Sequence, residues 1–177
     1  VYMEDGVSLT IKDLKVKAFT TLGWGIRGTK RETLNIINSV ILSTAGNNMA
    51  SIAEVNEINL DNSSVEAWGE SVSGIEFDNY LNLKEGNDLQ KINVTGKCSI
   101  TADDVAILFK GRGKIDGSGT LEVASKNKTA ISLDYCYSKN KGETEIGELL
   151  LHNITVDIKG IYGIAGRIPE KHGALYI

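Results

Sequence analysis

Apolar and polar residues alternate along much of this chain, and the alternating segments recur. Three segments show the pattern well: Leu9–Val16 (LTIKDLKV), Ile58–Val65 (INLDNSSV) and Leu149–Val156 (LLLHNITV). Each has two alternating apolar residues, then a polar Asp or Asn, then an apolar residue three positions later. Alternation with a period of two predicts short β-strands that bury one face and expose the other.

A second feature, a small residue followed by isoleucine, comes after each copy of the pattern. The pairs are Gly25-Ile26, Ser51-Ile52, Gly74-Ile75, Ala106-Ile107, Ala130-Ile131 and Gly163-Ile164. The steps between successive isoleucines are 26, 23, 32, 24 and 33 residues. A repeat of this length predicts stacked units, because one short unit cannot bury its own apolar face.

The bend between the first two strands of each repeat falls on a residue that tolerates left-handed backbone torsions. In chain order these residues are Asp13, Asn38, Asn62, Gly96, Gly119 and Asn153. Three short strands in a repeat of ~24 residues, with no helical period between them, predict an all-β parallel β-helix of about six to seven coils. The two long steps place loop insertions near residues 78–91 and 134–148.

Composition is compatible with one such domain over residues 1–177, which we expect to be a segment of a larger protein. Apolar residues make up 41% of the chain and charged residues 24%, as in ordinary globular domains. The net charge of −4 predicts no nucleic-acid partner, and no apolar stretch is long enough for a membrane-spanning helix. Cys98 and Cys136 lie in consecutive repeats, either as buried thiols or as a disulfide.

The repeat resembles the right-handed parallel β-helix superfamily, the fold of pectate lyases and of many bacterial surface proteins. Lys114–Val123 (KIDGSGTLEV), followed by Ala130-Ile131, is similar in style to bacterial secreted or surface domains that bind carbohydrate or form adhesin stalks. The resemblance implies an extracellular or cell-surface location. It also implies a structural asparagine ladder along the turns, formed by Asp13, Asn38, Asn62 and Asn153 and interrupted at the glycine coils.

The resemblance to pectate lyases implies calcium as the one candidate cofactor, held by acidic residues beside a basic residue. Asp103 and Asp104 are the best candidate ligands, and Lys126 and Lys128 are expected on the same side of the next coil. A solvated turn of ordinary surface charges is the competing interpretation.

Aromatic residues in the variable loops form the second candidate site. The residues that could stack on sugar rings or cover the apolar edge of the rod are Phe19, Trp24, Trp68 and Tyr162. Trp24 and Trp68 are expected about 10 Å apart, two strand spacings, which is of the order of a disaccharide.

Three functions remain open from these residues. The leading hypothesis is a non-catalytic module, without catalytic residues, that binds polysaccharide or another surface ligand. The alternatives are a lyase or glycoside hydrolase that acts on acidic polysaccharide, and a passive adhesin stalk. Open β-helix ends also predict self-association, because unpaired strand edges can pair with another chain.

Overall fold

The chain forms three long sheets, in a computed structural model that describes residues 1–20, 24–29, 31–45, 49–78, 89–134, 136–138, 143–145, 148–166 and 174–176. The first sheet contains β1 (Ser8–Lys12), β4 (Thr33–Ile37), β7 (Glu57–Asp61), β10 (Gln90–Thr95), β13 (Arg112–Gly117), β18 (Glu148–His152) and β21 (Ala174–Tyr176). The second contains β2 (Lys15–Thr20), β5 (Val40–Ala45), β8 (Ser64–Trp68), β11 (Lys97–Ala102), β14 (Thr120–Ser125) and β19 (Thr155–Lys159). The third contains β3 (Ile26–Arg27), β6 (Met49–Ala53), β9 (Val72–Asp78), β12 (Ile107–Lys110), β15 (Thr129–Asp134) and β20 (Tyr162–Gly166).

Every neighbouring pair within these three sheets is parallel, and each strand pairs with its counterpart one coil away. Leu34 pairs with Ile58, and Ile58 pairs with Ile92, so equivalent positions of the repeat form columns along the rod. This arrangement confirms the predicted all-β parallel β-helix. Within the described residues there is no helix long and apolar enough to cross a bilayer.

Columns of apolar side chains fill the interior between the three sheets. Ile52, Ile75 and Ile107 stack in register and are fully buried, which accounts for the isoleucine that recurs in each repeat. The rings of Phe77 and Phe109 stack face to face, with centroids 4.9 Å apart. Repeated burial of this kind drives the stacking of coils, because each apolar face is covered only by its neighbours.

Five of the predicted bend residues adopt left-handed torsions, with φ of 55° at Asp13, 46° at Asn38, 44° at Asn62, 70° at Gly96 and 52° at Asn153. The prediction for Gly119 was wrong, because the positive φ of that coil lies at Gly117, with φ of 141°. One hydrogen bond joins the bend residues of the first two coils: Asn38 Nδ2 donates to Asp13 Oδ1 at 3.2 Å. Asn62 instead donates to Asp61 Oδ1 within its own coil. The side-chain contacts between bend residues therefore stop at the third coil.

The two insertions are described only in part. Residues 79–88 of the first lie outside the described residues, as do residues 135, 139–142 and 146–147 of the second. The second insertion contains an antiparallel hairpin of β16 (Cys136–Ser138) and β17 (Glu143–Glu145). Cys98 is a buried free thiol, so the disulfide alternative is not realised. Burial raises the pKa of this thiol.

Candidate ligand-binding site

The residues proposed from sequence gather at one corner of the rod, where each strand of the second sheet turns into a strand of the third. We call this set of turns the second corner, which in the described part of the chain comprises residues 24–25, 69–71, 103–106, 126–128 and 160–161. Trp68 ends β8 beside the corner, and Tyr162 begins β20 just after it. One edge of the molecule therefore carries the predicted residues Trp68, Asp103, Asp104, Lys126, Lys128 and Tyr162.

Trp68, Asp103 and Lys126 follow one another along this corner. Each comes directly after residues that pair in register, since Ala67 pairs with Ala102 and Ala102 pairs with Ser125. Asp103 Oδ2 accepts a hydrogen bond of 2.8 Å from the Gly69 amide, next to Trp68. Lys126 Nζ lies 3.6 Å from Asp103 Oδ1. Contacts between coils thus fix the position of the Asp103 carboxylate, whereas the Trp68 indole N–H donates to Glu66 Oε2 at 3.2 Å.

A second ion pair lies one residue further along the same turns. Lys128 Nζ lies 2.8 Å from Asp104 Oδ1 and 3.0 Å from Oδ2, so the ammonium group spans the carboxylate. Ser125 Oγ donates to the Asp104 carbonyl and accepts from the Lys128 amide at 3.0 Å. The Lys128 carbonyl in turn accepts from the amide of Tyr162 at 3.3 Å. These contacts link three coils into one polar surface.

The second corner fits a calcium ion poorly. Calcium prefers six to eight oxygen ligands, whereas Asp103 and Asp104 each face an ammonium group. The described residues contain no group of three or more His, Cys, Asp or Glu side chains that could hold a metal ion. The described side chains here form ion pairs, and calcium at this turn stays a prediction.

A groove of about 490 Å³ runs beside the second corner on the outer face of the third sheet. Its lining is mostly polar: Ser71, Ser73, Glu76, Asp104, Val105, Leu108, Lys110, Lys128, Thr129, Ser132, Asp134, Ala165 and Gly166. Lys110 Nζ pairs with Glu76 Oε1 at 2.9 Å, and the two residues lie in neighbouring coils. Tyr162 stands next to the groove, because its partner in the sheet is the lining residue Thr129. The groove and the corner form a continuous candidate site.

Trp24 does not join Trp68 on an exposed surface. Arg27 lies over the Trp24 ring at 4.0 Å, and Glu54 holds that guanidinium with hydrogen bonds of 2.9 and 3.1 Å. Trp24 is half-buried just before β3, whereas Trp68 ends β8. The Trp24 ring therefore contacts Arg27 within the rod.

Phe19 is the aromatic residue that stands in register with Trp68. Phe19 pairs with Thr44 and Thr44 pairs with Trp68, so the two rings are two strand spacings apart, about 10 Å. Both side chains are exposed, Phe19 by 72% and Trp68 by 37%. The sequence signal was an aromatic residue three positions after valine, in Val16–Phe19 (VKAF) and Val65–Trp68 (VEAW).

A stack of side-chain amides on the outer face of the first sheet was missed from sequence. Asn93 Nδ2 donates to Asn59 Oδ1 at 2.7 Å, and Asn59 Nδ2 donates to Asn35 Oδ1 at 2.8 Å. Asp116 and His152 continue the column, and hydrogen bonds from Lys114 and His152 lower the pKa of Asp116 to about 2. The amide hydrogen bonds join successive coils, so we interpret this stack as structural. The signal was the polar residue between the two apolar positions of the repeat, at Asn35, Asn59 and Asn93.

Comparison with known proteins adds no further assignment. No protein-family model matches the chain, and no curated protein or solved structure matches it.

Proposed function

We propose that this chain is a non-catalytic carbohydrate-binding module of a secreted or surface protein. The observation that supports the proposal is the groove lined by hydroxyl and carboxylate groups beside exposed aromatic rings. Sugar rings have one apolar face and a rim of hydroxyl groups. A binding site for them needs a flat apolar surface next to hydrogen-bond donors and acceptors.

Both requirements are met at the second corner. Tyr162 and Trp68 offer exposed aromatic faces, and Ser73, Thr129 and Ser132 offer hydroxyls along the groove. These positions lie on or next to strands of a hydrogen-bonded sheet, so little ordering is required when a ligand binds. Preorganisation of this kind improves affinity because fewer degrees of freedom are lost on association.

The proposal is tested by measuring polysaccharide binding to Tyr162→Ala and Trp68→Ala variants. Truncating an aromatic residue that stacks on a ligand typically costs more than 1 kcal/mol, so each variant should bind about tenfold more weakly. Tyr2→Ala is the matched control, because Tyr2 is 65% exposed and Tyr162 64%, but Tyr2 lies at the other end of the rod. Affinity electrophoresis followed by calorimetry provides the measurement.

Three results would contradict the proposal. If no soluble or insoluble polysaccharide binds the wild-type chain, a passive stalk becomes the better interpretation. Equal losses in Tyr2→Ala and Tyr162→Ala would place binding elsewhere. Release of unsaturated or reducing sugar ends during incubation would show catalysis and favour the lyase or hydrolase alternative.

A further inference from the structure

The charges of the groove are nearly balanced, and its lysines already have partners. Among the described lining residues, three carboxylates (Glu76, Asp104 and Asp134) face two ammonium groups (Lys110 and Lys128), so the net charge is 2 − 3 = −1. Lys110 is held by Glu76 at 2.9 Å and Lys128 by Asp104 at 2.8 Å. At the corner, Lys126 also faces a carboxylate, that of Asp103.

Two electrostatic effects would weaken the binding of a ligand carboxylate in this groove. The ligand would have to draw a lysine away from a carboxylate that already holds it, and it would approach a surface with a net negative charge. Like charges placed together in an interface cost several kcal/mol, whereas hydroxyl groups can share the same carboxylates and ammonium groups as acceptors and donors.

We infer that the groove takes an uncharged polysaccharide and discriminates against chains of uronic acids. The inference rests on the proposed function of the same site and names the class of its ligand. It runs opposite to the acidic substrates implied by a resemblance to pectate lyases. Neutral hexose or pentose chains offer hydroxyls to the groove and ring faces to Tyr162 and Trp68 without adding charge.

The test uses one polymer in two charge states. A panel of neutral polysaccharides is screened for binding, and the best-binding hexose polymer with free C6 hydroxyls is then oxidised at C6 to the uronic acid, which changes its charge but keeps its backbone. We expect the oxidised polymer to bind about tenfold more weakly or worse at low salt. Equal or tighter binding of the oxidised polymer, or binding of acidic polysaccharides alone, would overturn the inference and leave the proposed function standing. Failure of every polysaccharide to bind would overturn both.

A paired variant tests the physical cause. The D103N/D104N variant keeps the shape of both side chains while it releases Lys126 and Lys128, and the new amide oxygen next to Gly69 could still accept from the Gly69 N–H. We expect the affinity ratio of oxidised to neutral polymer to rise several-fold, and the gain to fall as salt is added. Thermal unfolding confirms that the variant is folded. An unchanged ratio in a folded variant would contradict the inference.

Discussion

Asn62 explains why the bend of the fourth coil is a glycine. Asn62 Oδ1 accepts a hydrogen bond of 3.2 Å from the Lys97 amide, so its side chain reaches across to the next coil. A Cβ atom at Gly96 would collide with that same oxygen. Gly96 also has φ of +70°, which L-residues other than Asn and Asp adopt at a cost. Two constraints therefore meet at this position, one torsional and one steric.

A double-mutant cycle separates the two constraints. Gly96→Ala should lower the free energy of unfolding by more than the ~1–2 kcal/mol expected for a left-handed torsion alone. In an Asn62→Gly background the steric part should disappear, which gives a measurable coupling energy in urea unfolding. Gly6→Ala is the control for torsion, because Gly6 has φ of +77° and no atom within 4 Å of its added Cβ. Additive effects of the two substitutions would contradict this explanation.

Residue type predicts the bends of this chain, but not where their side chains reach. Asp13 and Asn38 were identified because Asn and Asp tolerate left-handed torsions, and that preference is local. The reach of Asn62 towards Lys97 depends on a residue one coil away. Register between coils likewise decides that Phe19, rather than Trp24, lines up with Trp68.

At the scale of strands, the small residue before isoleucine breaks the alternation of the third sheet in the middle of the rod. Gly74 and Ile75 are both buried, as are Ala106 and Ala130 with the isoleucines that follow them, whereas Gly163 in the sixth coil is exposed. The Gly74 position faces Ile100 of the second sheet. A Cβ built on Gly74 would lie 2.5 Å from the Ala106 carbonyl oxygen and 2.9 Å from Ile100 Cγ2. Space, rather than backbone torsion, selects glycine here.

Gly74→Ala should therefore destabilise the rod through overpacking. We expect a loss of about 1–3 kcal/mol, because the nearest atom belongs to the backbone and cannot rotate away. Gly163→Ala is the matched control at the same repeat position, since its added Cβ would meet only Ile158 Cγ2 at 3.6 Å. That substitution should change stability by less than about 0.5 kcal/mol. Similar effects of the two changes in chemical denaturation would refute the steric explanation.

At the scale of the whole molecule, the repeat length and the period-two alternation were sufficient to predict the rod. The repeat length and the alternation both reflect the local burial of apolar side chains, which recurs in each coil. The candidate site was predictable as residue types, because Asp103, Lys126 and Tyr162 depart from the repeat. Their pairing was not predictable, because the contacts join coils and depend on the register through turns of unequal length.

The two ends of the rod carry its exposed apolar surface. In the described part of the chain, β1 and β2 have unpaired edges at one end of their sheets and β19, β20 and β21 at the other, whereas the edge of β3 is paired by residues 1–3. Among the described residues, the exposed large apolar side chains other than Trp68 all belong to the first or last coil. They are Val1, Tyr2, Val7, Leu14, Phe19, Leu150, Ile161 and Tyr162. Unpaired edges together with apolar surface favour association through the ends.

We predict that this chain associates as its concentration rises, and that Leu14→Lys and Ile161→Lys each weaken the association. Both residues are well exposed, at 57% and 64%, so the lysines should leave the fold intact while they oppose contact between ends. Sedimentation equilibrium provides the measurement, with Trp68→Lys as a control in the middle of the rod. Both substitutions should act because unlike ends of the rod meet; an effect of only one would show that like ends meet instead and would contradict this prediction. A wild-type chain that remains monomeric at all concentrations would contradict the prediction.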